Sequence, residues 1–380
     1  MILTRLRVVL PEGAALTVFA LIYLLLEAPY AYLEWRVGRP LDVPRPGMLV
    51  ARLAALAYGG WRALAFHPAY RGDYRIWLER GPWTSRKPLP AGPIALSWED
   101  ALPAGALALM AAFHGPSGPF IVLGLFLIGH QAIVAVASFT TGATPFGYAV
   151  AFLIGLSIRL WPEPRDFLAA AVAGYLVGWA GLRVSLAKFP WPGYRKAGAN
   201  DPKQAIREAA CGWPFDQLQP KARSGRILPA HAGVLISLLA GWYLFAAESF
   251  FPDPAARRLF LHLGFVNAIL ILAFGRASLY GLGYAPPISL WGRLRTSRWI
   301  VPGHDQVYLA PLCTILVGVL ALDRFRPPGL VDDTFLPIAL AVACLVALTT
   351  GPSLARWRLT GRHRITLGVS KKGGEFVKVG

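Results

Sequence analysis

Pro119-Phe-Ile-Val-Leu-Gly-Leu-Phe-Leu-Ile-Gly-His130-Gln-Ala-Ile-Val-Ala-Val-Ala-Ser-Phe139 decides the class of this protein, because no Asp, Glu, Lys or Arg interrupts it. A helix rises about 1.5 Å per residue, so the run covers the roughly 30 Å hydrocarbon core of a bilayer. A soluble helix of that length would show a polar face, and here only His130, Gln131 and Ser138 are markedly polar. Apolar runs recur at 13–34, 48–66, 101–114, 144–161, 166–187, 228–250, 259–277, 306–322 and 334–352. Between them stand His114-Gly-Pro-Ser-Gly-Pro119, Trp161-Pro-Glu-Pro-Arg165 and Phe250-Phe-Pro-Asp-Pro254. Such stretches end helices, since Pro lacks an amide donor and Gly favours turns.

Composition agrees. The 380 residues are 55% hydrophobic and 15% charged, with a mean hydropathy of +0.48, whereas soluble domains carry about a quarter charged residues. The expectation is an all-α polytopic integral membrane protein of about ten transmembrane helices, nine being possible, with a short C-terminal β-hairpin-like tail. A soluble enzyme is excluded. Two runs are weak: 48–66 contains Arg52 and Arg62, and 101–114 is too short for a crossing unless it begins near Ile94. The first either spans or lies flat on the inner surface.

The net charge of +18 reports orientation here, not a nucleic-acid partner, because Lys and Arg collect in cytoplasmic loops. With both termini cytoplasmic, 25 of the 38 basic residues fall in inner segments, eight in outer segments and five within spans. Arg36, Arg39 and Arg45 sit awkwardly in an outer loop. Arg5 and Arg7 precede an apolar run without an A-x-A site, which reads as an uncleaved first span. The expected organisation is an N-terminal hairpin (1–66), a cytoplasmic loop (67–100), four helices (101–187), a basic cytoplasmic loop (188–227), two hairpins (228–352) and a basic tail (353–380).

A faint repeat leads into three of the hairpins: Lys87-Pro-Leu-Pro-Ala-Gly-Pro93, Arg226-Ile-Leu-Pro-Ala-His231 and Arg298-Trp-Ile-Val-Pro-Gly-His304. A basic anchor followed by a rigid first turn explains it without duplication. The loop 188–227 mixes Trp and Tyr with Lys and Arg, as suits the headgroup layer and contact with membrane lipids. In the 365–380 tail, Ile365-Thr-Leu-Gly-Val-Ser370 and Phe376-Val-Lys-Val379 alternate like two strands. A lone hairpin is marginal in water, so this tail and the basic inner face are where other protein subunits would attach.

Catalytic signatures are scarce. No P-loop, H-E-x-x-H or G-x-S-x-G occurs, and Cys211, Cys313 and Cys344 form neither a disulfide framework nor a metal site. Ionisable groups inside spans become the candidates, because burying them costs several kcal/mol or demands partners. Glu27 and His130 are deep, and Glu27 precedes Pro29, where a kink or an arginine can serve the carboxylate. Arg159, Arg183, Glu248 and Arg276 lie near span ends and can snorkel. No cofactor is predicted; a haem held by His130 and His262 is the low-ranked alternative. Glu99, Asp100, His231, His304 and Asp305 gather at helix starts on the inner face, and Ser97 with Glu99 and Asp100 reads first as an N-cap. Gly174-x-x-x-Gly178 lets another helix approach closely, within the monomer before between monomers.

These features rank a non-catalytic membrane-embedded subunit or scaffold first. A multi-span transporter, of an anionic solute if arginines do the coupling, comes second. A lipid-modifying enzyme at the inner face comes third.

Overall fold

The computed structural model describes residues 13–38, 45–85, 87–191, 230–281, 290–297, 299, 306–323, 332–350, 369–372 and 375–378. It divides into two units, Met1–Asn200 and Asp201–Gly380. Unit 1 contains α1 (Gly13–Val37), α2 (Pro46–Phe66), α3 (Gly72–Arg80), α4 (Ala101–Ala112), α5 (Gly118–Thr140), α6 (Thr144–Arg159) and α7 (Pro164–Ala187). Helices α2, α5, α6 and α7 each open with Pro in the first turn. The ring presets φ there, and the missing N–H would have had no intrahelical acceptor anyway.

Five helical stretches among the described residues are long and apolar enough to cross a membrane: Leu16–Val37, Gly118–Thr140, Pro164–Ala187, His231–Phe250 and Pro254–Gly275. Thr144–Arg159, Leu309–Ala321 and Thr334–Thr349 are apolar but shorter. The expected ten spans thus divide into five full-length candidates, these three, and two special cases. One is α2, long enough at 21 residues but interrupted by Arg52 and Arg62. The other is α4, whose 12 residues amount to about 18 Å of helix.

Helix α4 is short because the chain before it enters unit 1 in non-helical form, with a turn at Leu89–Gly92. Leu89 packs against the cluster that Ile94 forms with Ala63, Phe66, Val134 and Leu182, toward the C-terminal ends of α2, α5 and α7. From there the chain reaches His130 with Ile94 and Tyr175 with Leu96, both roughly midway along long helices. A 3-10 turn, Trp98–Asp100, then starts α4, which ends where Gly118 begins α5 against the Ala111 carbonyl. Residues 89–112 thus lead from this cluster to the start of α5, half non-helical and half helical. At the end of the expected 67–100 loop, Ile94, Glu99 and Asp100 are buried. Pro88, Pro90 and Pro93 prevent a helix and remove three amide donors, while Gly92 takes a φ of +120° that a side chain would oppose.

Two glycines let α2 and α5 meet. A Cβ placed on Gly59 would collide with the Phe126 carbonyl, and one on Gly129 with the Leu56 carbonyl. Around this crossing Ala51, Ala55, Tyr58, Val122 and Phe126 pack with Ala104, Leu107 and Ala111 of α4. Gly174 of α7 lies against Gln131, Gly178 faces Val134 and Val150, and Gly181 faces Phe146. The small face of α7 is thus occupied within unit 1 by α5 and α6.

Unit 2 contains α8 (Ala230–Ala247), α9 (Pro254–Gly281), α10 (Leu290–Thr296), α11 (Gln306–Asp323) and α12 (Asp332–Thr349). Leu244, Leu261, Phe265, Ile269, Leu336 and Leu340 form its apolar centre. Gly241 allows α8 to approach the Pro337 carbonyl of α12. In the tail, Val369–Lys372 pairs antiparallel with Glu375–Lys378. The basic loop beyond Trp191, the second and third repeat instances, His304, Asp305 and the tail's first strand before Val369 lie wholly or largely outside the described residues.

Gly59→Leu should lower the melting temperature of the detergent-solubilised protein, since the new side chain meets backbone that cannot rotate away; overpacking of this kind costs about 1–3 kcal/mol or more. Gly105→Ala in α4, where an added Cβ meets nothing within 4 Å, should be neutral or slightly stabilising. Equal losses for both would show that the α2–α5 approach is not as close as described.

Candidate functional site

A polar cluster sits where the non-helical leg of residues 89–97 meets α4. Arg62 is fully buried and Asp100 is 2% exposed. Tyr58 and Arg62 lie one helical turn apart and so share a face of α2. The Arg62 Nε donates to Asp100 Oδ1 at 2.8 Å, and its Nη1 donates to the Pro93 carbonyl at 2.8 Å. The Tyr58 hydroxyl also donates to Asp100 Oδ1, at 3.3 Å. The other carboxylate oxygen, Oδ2, accepts from the Ser97 amide at 2.7 Å and the Ser97 hydroxyl at 3.1 Å. Ser97 and Asp100 thereby form a capping box, so one carboxylate both caps a helix and neutralises an arginine. The guanidinium also lies 4.1 Å from the centre of the Phe66 ring, a favourable cation–π placement.

Apart from the Leu89–Gly92 turn, the leg takes hydrogen bonds from side chains on the surrounding helices. His130, 1% exposed, donates Nε2–H to the Ile94 carbonyl at 2.9 Å, which leaves Nδ1 as an acceptor. The Leu96 amide donates to the Tyr175 hydroxyl at 3.0 Å, and the Ala91 amide to the Tyr74 hydroxyl at 3.2 Å. Non-helical backbone in an apolar interior requires such partners, since water is not there to supply them. Two buried polar atoms of the cluster, Arg62 Nη2 and His130 Nδ1, have no hydrogen-bond partner among the described residues.

Glu27 anchors a second cluster. Its Oε1 pairs with Arg45 Nη1 at 3.3 Å and lies 3.8 Å from His114 Nδ1, while Oε2 accepts from the Gly47 amide at 3.1 Å. Arg45 also pairs with Glu34, and the Tyr23 hydroxyl is 3.2 Å from His114 Nε2. The arginine anticipated for Glu27 comes from the next loop. Arg45, one of the three awkward outer arginines, is paired with two acids.

The other sequence candidates are dispersed. Glu99 is buried in the 3-10 turn beside Asp100, whereas His231 is exposed on the first turn of α8 in unit 2. His130 belongs to unit 1 and His262 to unit 2, where His262 bonds through Nδ1 to the Arg258 carbonyl of its own helix at 2.8 Å. Glu248, expected to snorkel, is buried at the start of the 3-10 turn Glu248–Phe250. Arg183 instead folds over Trp179, 3.7 Å from the ring centre. Sequence reasoning missed Arg62 and Tyr58 as partners of Asp100. Their four-residue spacing was legible, but Arg62 lies one turn from the end of α2 and so passed for a snorkelling residue.

His67 closes the C-terminal end of α2. It is fully buried and stacks on Trp191 with ring centres 5.7 Å apart. Its Nδ1 accepts from the Ala69 amide at 3.1 Å. Burial, reinforced by the nearby His130, lowers its pKa to about 4 from the ordinary 6.5.

No family model, no curated protein and no solved structure matches this chain. Its class therefore rests on the described residues: a helical protein with several helices apolar enough to cross a membrane.

Arg62→Gln or Asp100→Asn alone should each cost about 3–5 kcal/mol, because the remaining charge stays buried. The double variant should lose less than the sum, as a double-mutant cycle of melting temperatures would record. His67 gives a pH signature. Its contribution to stability is complete above pH 6.5 and is lost as the pH falls toward 4, because the unfolded imidazole takes up a proton that the folded one refuses. His67→Phe should narrow the fall in melting temperature between pH 7.5 and pH 5; an unchanged fall would assign the acid sensitivity to other groups.

Proposed function

We propose that this chain is a multi-span membrane transporter whose moving part is the broken crossing, residues 89–112. One observation carries the reading: a buried Arg62–Asp100 pair at the junction between non-helical chain and half-helix. Broken helices in the middle of a bundle are the usual seat of transporter binding sites. Ionisable residues at such depth ordinarily mark a pathway. Polar side chains, more than a continuous helical ladder, hold the crossing in place, so it can exchange one set of partners for another. In this reading the chain crosses ten times, with 89–112 as one discontinuous span, and both termini are cytoplasmic.

A subunit or scaffold role is the second reading. It is supported by an open apolar groove of about 330 Å³ between α8 and α12, lined by Leu238, Gly241, Trp242, Phe245, Pro337 and Ile338. A side chain from a neighbouring subunit fits such a groove, and a β-hairpin tail on the cytoplasmic side would add a second attachment point. The lipid-enzyme reading gains least, since both Asp100 oxygens are already engaged.

The deciding experiment pairs two measurements on the full chain. Extracted in mild detergent from its own membranes, a transporter should migrate as one kind of chain. Reconstituted into liposomes, it should pass at least one solute from a panel of small anions, cations and sugars, and the flux should fall at least tenfold in Arg62→Gln/Asp100→Asn. A native particle containing other chains, with no flux for any solute, would replace transport with the subunit reading.

A further inference from the structure

The side-on edge of a guanidinium, formed by Nε and Nη2, is a two-pronged donor that matches the two oxygens of a carboxylate or phosphate. Asp100 fills only one prong. Its Oδ1 takes the Nε hydrogen at 2.8 Å, while Oδ2 turns away to the Ser97 amide and hydroxyl. Nη2 is buried and has no partner among the described residues. The ion pair is therefore incomplete on the arginine side and complete on the aspartate side.

That asymmetry matters for exchange. Released from Arg62, Asp100 keeps both Ser97 bonds and its place in the first turn of α4, where negative charge is favoured. Arg62 by contrast has no second acid among the described residues, and its remaining bonds are to the Pro93 carbonyl and the Phe66 ring face. An incoming oxyanion that grips both Nε and Nη2 makes two charge-assisted hydrogen bonds where Asp100 makes one.

We infer that Arg62 is an oxyanion-binding residue, that Asp100 is the built-in anion occupying it in the closed state, and that a carboxylate or phosphate group displaces Asp100 together with the non-helical leg. This rests on the transport reading for its purpose, and names the class of solute for that same site. Moving Asp100 moves α4 and Pro93, because the same guanidinium holds both. Occupation of the site is thereby coupled to a shift of residues 89–112, and Arg62 remains neutralised before and after the exchange.

The test is anion binding by the full chain in detergent, read as the rise in melting temperature against sodium phosphate or sodium acetate, with sodium chloride at matched ionic strength as reference. Asp100→Asn removes the internal competitor and should lower the half-saturating concentration at least tenfold relative to wild type. Arg62→Gln/Asp100→Asn, which buries neither charge, should show no specific shift. A response to phosphate alone assigns a tetrahedral oxyanion, and a response to acetate assigns a carboxylate. An unchanged half-saturating concentration in Asp100→Asn, or a specific shift retained in the double variant, would overturn the inference. Where Asp100→Asn does not fold, Tyr58→Phe, which loses one bond to the competitor, decides: a severalfold gain in anion affinity supports the site, and no gain removes it. Anion binding without flux of any solute would sink the transport reading and leave the site. Flux of a cation or sugar, indifferent to the Arg62 variant and without any anion shift, would do the reverse.

Discussion

The bond between Arg62 and Asp100 fixes the rest of unit 1. Without an acid beside it, a guanidinium with no exposed surface would be strongly unfavourable in an apolar bundle. Without Arg62, the carboxylate and the Pro93 carbonyl would lose the donor that brings them together. Asp100 also caps α4, so the same contact determines where the half-helix starts. The residues before it enter the unit in non-helical form. The close approach of α2 to α5 at Gly59 and Gly129 serves this arrangement by bringing Tyr58 and Arg62 to the level of His130.

A break in a crossing costs backbone hydrogen bonds, and the unit recovers them with side chains that would otherwise have little reason to be there. His130, Tyr175, Tyr74, Asp100 and Arg62 each serve one peptide group of the non-helical leg, and three prolines reduce the number of donors in need. An α-helix satisfies its own backbone and resists change. This leg depends on five separate side chains, and such an element can trade partners with a small shift of its surroundings. Its mobility would thus follow from hydrogen bonding and not from looseness, because Ile94, Glu99 and Asp100 are all buried.

The first helix is held differently. Much of α1 is exposed apolar surface, with Leu21, Leu24 and Leu25 each 60% exposed or more. Glu27 ties it through Arg45, the Gly47 amide and His114 to the chain that follows and to the turn after α4. Glu27 is thus a fastening between elements. The backbone group that serves its carboxylate is the Gly47 amide.

Composition and the long uncharged runs determined by themselves that this chain is helical and suited to a membrane, because a bilayer admits only segments that are apolar for their full length and satisfy their own backbone. The capping of α4 by Ser97 and Asp100 was also legible, since it involves neighbours in sequence. So was the glycine face of α7. The partnership of Arg62 with Asp100, the broken crossing and the service of His130 to Ile94 were decided only by tertiary structure. Each joins residues more than thirty positions apart, and local pattern cannot tell an arginine that reaches for headgroups from one that turns inward to an acid. Hydropathy reads the average polarity of a segment; which buried charge meets which is set by how closely the helices can pack.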